Sequence, residues 1–220
     1  MQESLPKGCI IGGDGKIMRI AVFTDVHGNQ KALKNVLEQI GKKNADLTVF
    51  LGDIFQRGNE EIECLELLMN SKITCLKGNC ELYTEHGVDV DPDVEYLREY
   101  YDTIRSRLSK EQMAFIKQMP LRHEMECCGH KLCFSHFLFS DIHAPYPFLQ
   151  LSDLKNGVFD RVCESEDVTK YDLVVIGHDH QNFVKGNVVS VSATGLEGAS
   201  YLLIEADEDS LTFEHITLEK

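Results

Sequence analysis

Short apolar runs that stop abruptly at a polar residue recur along this chain, and several stretches between them carry apolar residues at helical spacing. Arg19 to Phe23 reads as a buried strand, its apolar residues continuous rather than alternating. From Asn29 to Ile40 the positions Leu33, Val36, Leu37 and Ile40 fall at i, i+3, i+4 and i+7, one face of a helix that Gly41 closes. Leu47 to Leu51 is a second buried strand. Asn59 is placed to cap a helix carrying Ile62, Leu65, Leu68 and Met69 on one side, with Glu60, Glu61 and Glu63 near its start, where the helix dipole favours acid. Ile73 to Leu76 makes a third strand. Strands alternating with helices predict parallel pairing through right-handed crossovers.

The rhythm changes from Glu81 to Pro120. Asp91-Pro92 starts a charged, aromatic helix that runs to about Leu108 and includes Tyr96, Tyr100 and Tyr101. Ser109 with Gln112 forms a capping box for another helix, which Pro120 ends. The segment at about 81–120 therefore reads as a helical insertion within a single domain spanning 18–220. Leu121 to Cys128 and Lys131 to Phe134 flank Gly129-His130 as a β-hairpin. A loop rich in Pro and aromatics (Ser140 to Leu149) and a weakly helical stretch (Val158 to Lys170) follow. Leu173 to Ile176, Val188 to Ala193, Tyr201 to Glu205 and Leu211 to Thr217 complete the strands. Residues 1–17 read as a flexible extension, with Met18 a candidate natural start.

Composition narrows the class. The chain has 220 residues, 43% hydrophobic and 26% charged, with no apolar run of membrane-spanning length and no basic-then-apolar secretory start, so a cytoplasmic, membrane-free protein is the default expectation. Eight cysteines without CxxC spacing predict reduced, mostly buried thiols rather than disulfides or a zinc knuckle. A net charge of -14 argues against stable nucleic-acid binding and leaves a phosphate-handling role in need of a local positive field, which divalent cations supply.

The residues after the apolar runs carry the chemistry: Asp25 and His27, Asp53, Asn79, His136, then His178 and His180. In open α/β sheets, side chains at the carboxyl ends of strands converge on one crevice. Imidazoles, carboxylates and one amide oxygen suit Mn²⁺, Fe, Zn²⁺ or Ni²⁺ better than Ca²⁺ or Cu(I). Asp-x-His and His-x-His put both side chains on one side of an extended stretch, so each pair can chelate an ion. A carboxylate has two oxygens, which makes Asp53 the candidate to link two metals about 3.5–4 Å apart.

Asp25-Val26-His27, Gly52-Asp53 with Arg57-Gly58, Gly78-Asn79, an isolated His136 and Gly177-His178-Asp179-His180, in this order, resemble the signature blocks of the calcineurin-like metallophosphoesterases. The resemblance covers about Met18 to Lys220 and is strongest to the small bacterial and archaeal branch of predicted phosphodiesterases. It implies an α/β fold, a four-layer α/β/β/α sandwich of two mixed sheets flanked by helices. It also implies two metal sites, one held by Asp25, His27, Asp53 and His180 and one by Asp53, Asn79, His136 and His178. The implied activity is hydrolysis of a small phosphodiester or nucleotide by a metal-bridging hydroxide, Mn²⁺ being the foremost metal. The candidate substrate contacts are Arg57, Asn79 and His143: Arg57 reads equally as a residue that orients its loop by hydrogen bonds or as a phosphate contact, and His143 is singled out by its place seven residues after His136 in the Pro-rich loop. Many members place His after Gly-Asn as the acid to the leaving group. Cys80 stands here instead, a poorer acid that favours leaving groups of low pKa. Gln56 replaces the Asp of the protein-phosphatase branch and weakens that alternative; a dinucleoside polyphosphate hydrolase, a homo-oligomer, and a non-catalytic scaffold of the same fold stay open.

Overall fold

The computed structural model describes residues 17–88, 92–138, 162–196 and 199–218. Two mixed five-stranded sheets lie face to face. The first has the order β10 (Leu211–Thr217), β9 (Ser200–Ala206), β1 (Met18–Phe23), β2 (Leu47–Phe50), β3 (Thr74–Cys75), with β1, β2 and β3 parallel. The second has the order β4 (Arg122–Cys127), β5 (His130–Ser135), β6 (Leu173–Ile176), β8 (Val188–Ser190), β7 (Phe183–Lys185), with β5, β6 and β8 parallel.

Both faces of the central strands are buried, which is why they read as continuous apolar runs. Ile20, Val22, Leu202 and Ile204 point between the sheets against Leu132, Phe134, Val175 and Val189. Their neighbours Ala21, Phe23, Tyr201 and Leu203 face outward onto helices α1 (Gln30–Lys42), α2 (Glu61–Met69) and α3 (Asn79–His86), and onto α4 (Arg98–Arg107) and α5 (Lys110–Gln118). On the far side, Cys133, Val174 and Ile176 pack with Val168 of the short helix α6 (Glu166–Thr169). The layers thus run helix, sheet, sheet, helix. Among the described residues, no helix is long and apolar enough to cross a membrane.

Several boundaries move from those read in the sequence. Helix α1 passes through Gly41 to Lys42, because Asn29 fixes its start by accepting Ala32 N–H at 3.0 Å and nothing around Gly41 stops the last turn. Helix α2 is preceded by Glu60 rather than capped by Asn59: Glu60 N–H binds Gly28 O, which turns the chain against the β1 loop first. The third strand shrinks to Thr74–Cys75, and helix α3 begins directly at Asn79, a helix absent from the sequence reading. Pro92 opens a 3-10 segment to Leu97 before α4. The Ser109–Gln112 capping box is present, with reciprocal bonds of 3.1 and 2.8 Å. The β4–β5 turn is Cys128-Gly129, both left-handed at φ +52° and +88°, while His130 already pairs with Cys127. Strand β7, paired with β8 across a Gly186 turn, was not predicted. The Pro-rich loop with His143, the extension 1–16 and residues 158–161 lie outside the described residues.

Candidate metal centre

Every strand-end block delivers its side chains to one crevice because the loops beyond the strands continue to hydrogen-bond. Asp25 N–H binds Gly52 O at 2.9 Å, His27 N–H binds Asp53 O at 3.1 Å and Gly28 N–H binds Ile54 O at 2.7 Å, so the β1 and β2 loops stay zipped past their strands. From the second sheet, Gly177 N–H binds His136 O, and the segment after β8 crosses over, Gly195 N–H binding Asp25 O at 2.9 Å. Nine described residues other than glycine have positive φ: Asn44 and Cys128 lie in turns, and the others are Asp25, His27, Asp53, Gln56, Arg57, His178 and His180. Left-handed backbone at residues with a Cβ costs about 1–2 kcal/mol apiece and persists only where surroundings over-determine it. Its concentration here turns ligand-type side chains into the crevice at the expense of local ease.

Asp25, His27, Asp53 and His136 form the buried floor; Asn79, His178 and His180 are half-buried toward the mouth. His27 Nδ1 donates to Phe55 O at 2.8 Å, which leaves the Nε2 lone pair facing inward. That Nε2 is 3.0 Å from His180 Nε2 and 3.5 Å from Asp25 Oδ1, and His180 Nε2 is 3.1 Å from the same oxygen. Ligand atoms about 2.1 Å from one ion in octahedral or tetrahedral array are themselves roughly 3.0–3.4 Å apart. The triangle therefore has the dimensions of a cation cage. Asp25, Asp53 and His136 form a second potential group, and His27, Asp53 and Cys80 a third. His136 Nε2 stands 3.5 Å from Asp53 Oδ1 and 4.0 Å from Asp25 Oδ1, yet neither ring nitrogen of this fully buried residue has a hydrogen-bond partner. Orphaned buried imidazole nitrogens beside two carboxylates are what a bound cation would satisfy. The residues present fit a transition metal. At the mouth, Asn79 Oδ1 lies 2.9 Å from His178 Nδ1.

The electrostatics favour positive charge. Burial pushes the Asp25 carboxyl up, but His136, His180 and His27 more than reverse this and hold it well below the usual carboxylate range. Asp53 is likewise raised by burial yet brought to about 2, chiefly by His136. Burial lowers His136, and Asp53 and Asp25 overcome it, raising the imidazole to about 9. His178 goes the other way, to about 4, through burial and the nearby His136.

Two contributors were not identified from the sequence as site builders. Glu81, fully buried one turn into α3, accepts the N–H groups of Asp53, Ile54 and Gly78, each at 2.8 Å, and so fixes the backbone that aims Asp53. Its side chain is pushed up to about 7 by burial and Asp53, against those three donors. Gly195 closes the crevice: its carbonyl accepts Asn29 Nδ2–H at 3.0 Å, and a Cβ there would come within 1.9 Å of Val26 O. The only hint in the sequence was a Gly after an apolar strand. Cys80 is fully buried; burial, then Asp53 and Glu81, push its thiol well above the ordinary value, while its N–H binds Asp53 Oδ1 at 2.9 Å. Arg57, exposed, lines a cleft of 290 Å³ with His27, Asn29, Asn59 and Glu60. A larger depression of 560 Å³ along α4 contains none of these residues. Cys127 and Cys133 belong to different cores on opposite faces of their sheet, so they share no zinc knuckle.

A protein of Methanocaldococcus jannaschii, described only as uncharacterized, is 28% identical over 178 residues, covering 77% of this chain and 67% of the relative. A hypothetical protein from Pyrococcus horikoshii has a similar structure, with a TM-score of 0.69 at 16% identity over 92% of this chain and 88% of that one. A metallophosphoesterase from Sphaerobacter thermophilus aligns with a TM-score of 0.61 at 20% identity over 92% and 89%. The profile described as calcineurin-like phosphoesterase matches residues 18–182.

Proposed function

Because this chain belongs to the calcineurin-like phosphoesterase family, we propose that it is a two-metal hydrolase of small phosphodiesters or nucleotides, with Mn²⁺ the foremost metal. The observation that carries the reading is the inward-facing triangle of Asp25 Oδ1, His27 Nε2 and His180 Nε2 beside the unpartnered imidazole of His136. Asp25, His27, Asp53 and His180 would hold one ion, and Asp53, Asn79, His136 and His178 the other. Cations bound there would supply Lewis acidity toward the phosphoryl oxygens and a nucleophile from water at neutral pH. The protein's own residues do the rest. Glu81 fixes the Asp53 backbone by accepting its N–H, Cys80 N–H fixes the Asp53 carboxylate, Thr24 Oγ1 donates to Asp25 Oδ2 at 2.6 Å, and Arg57 offers a guanidinium to the substrate's free phosphoryl oxygens.

The leaving group receives little help. Cys80 is buried and its thiol strongly resists ionisation, so it is no proton donor to an ester oxygen. Aryl or nucleotidyl leaving groups, which depart without protonation, are accordingly the favoured substrates. The test is a substrate panel with added Mn²⁺, spanning phosphomonoesters, aryl and alkyl phosphodiesters, cyclic nucleotides and dinucleoside polyphosphates. Hydrolysis that steepens with falling leaving-group pKa is expected; absence of hydrolysis on every member refutes the enzyme reading.

A further inference from the structure

Helix α3 supplies Asn79, Cys80 and Glu81 to the candidate site directly, and α4 reaches the loop beside it through the phenol of Tyr100. Tyr100 of α4 accepts the backbone N–H of Gln56 at 2.5 Å and donates its own proton to Glu61 Oε1 at 2.9 Å. Glu61 is only 3% exposed, at the start of α2, so the half-buried hydroxyl ties α4, the loop after β2 and the buried start of α2 together. The N–H it receives begins an unusual piece of backbone. Gln56 and Arg57 are consecutive left-handed residues, φ +73° and +70°, a conformation that side chains with a Cβ hold only under external constraint. Burial, together with the adjacent Glu61, keeps the phenol well above its ordinary pKa despite the Gln56 bond, so it remains a donor. Tyr101, packed edge-on against both Tyr100 and Tyr83, keeps α4 from sliding. Arg57, the second residue of the kink, lines the cleft beside His27.

We propose that Tyr100 is a positioning residue: it holds the left-handed Gln56-Arg57 kink so that Arg57 faces the anion in the cleft, and the helical segment thereby sets affinity for the phosphoryl group without touching it. The inference rests on the phosphoesterase reading of the site. It assigns to Tyr100 a role in binding and none in metal capture, since its contacts are to Gln56 and Glu61 rather than to any candidate ligand.

Wild type, Tyr100→Phe, Arg57→Ala and the double variant are compared with Mn²⁺ present for KM and kcat on bis-p-nitrophenyl phosphate. Affinity for inorganic phosphate is measured by calorimetry, with bound metal and thermal midpoint determined on each. Tyr100→Phe is expected to raise KM and the phosphate Kd about tenfold, with kcat within about threefold and metal content unchanged. The double variant is expected to be no worse than Arg57→Ala alone, because Tyr100 acts through Arg57. Glu61→Leu, which removes the other end of the same chain of bonds, should move KM the same way and serves if Tyr100→Phe does not fold. Unchanged KM and phosphate affinity in Tyr100→Phe, or effects of Tyr100→Phe and Arg57→Ala that multiply, overturn the proposal while leaving the phosphoesterase reading intact. A wild type that turns over no ester refutes that reading separately; the calorimetric comparison still decides the coupling, and wild type that binds no phosphate overturns it.

Discussion

Gly177→Ala tests how tightly the two sheets are closed around Asp25. A Cβ at Gly177 would lie 2.2 Å from Thr24 Oγ1 and 2.9 Å from Asp25 Oδ2. Restoring ordinary contact requires Thr24 Oγ1 to retreat by about 1.2 Å. Thr24 is fully buried and cannot swing away freely, so the 2.6 Å bond from its hydroxyl to Asp25 Oδ2 breaks and the 3.1 Å bond from His178 N–H to the same oxygen is strained. Overpacking costs about 1–3 kcal/mol and a hydrogen bond to a charged group about 1.5–3 kcal/mol, which together predict a destabilisation of roughly 4 kcal/mol. For a chain of this size that is a fall of roughly 8–16 °C in thermal midpoint. Metal affinity should drop as well, by about 10–100-fold, the usual effect of disturbing a residue that orients a ligand. Gly41→Ala is the control: nothing lies within 4 Å of its Cβ position inside α1, so it should stabilise by about 0.5–1 kcal/mol. Thermal unfolding and metal titration of both variants decide the matter. A Gly177→Ala protein that melts within about 2 °C of wild type and binds metal equally well would refute the close-packing argument.

Asp53→Asn should lower turnover by about 10³-fold or more while the far-ultraviolet spectrum is retained, since it removes charge from the carboxylate placed between the two ligand groups; a variant with near wild-type turnover would exclude Asp53 from the centre. Metal removal with a chelator should abolish hydrolysis, and Mn²⁺ returned at about a hundred times its Kd should stabilise the fold by about 2.7 kcal/mol, visible as a rise of roughly 5–11 °C. Burial holds Cys64, Cys75 and Cys133 at about 12, and all seven described cysteines are buried. At pH 8 no more than one thiol, Cys9, should therefore react with an aromatic disulfide in the native protein, against eight after unfolding; rapid reaction of several native thiols would contradict the burial.

The sheets were legible because their strands are buried on both faces and so leave unbroken apolar runs such as Ile20 to Phe23 and Leu173 to Ile176. The strand-end position of the candidate ligands was legible for the same reason: each follows such a run. What escaped was set by tertiary contact. Strand β7 is three residues long and half exposed, so it lacks a hydrophobic signature. Helix α3 has apolar residues at no clear period because Cys80 and Glu81 bury toward the centre while Tyr83 buries toward α4. Glu81 and Tyr100 do their work through backbone N–H groups distant in sequence, which side-chain patterns do not encode. Nor does an Asp or His announce that it will sit at positive φ, since glycine is the residue that normally marks such positions.

Metal content measured by mass spectrometry during Mn²⁺ reconstitution of the metal-free protein, alongside hydrolysis of bis-p-nitrophenyl phosphate, tests the central claim most directly. Two equivalents per chain are predicted, with hydrolysis appearing as the second is taken up. Folded protein that retains no transition metal and releases no p-nitrophenol with Mn²⁺ in excess would contradict it.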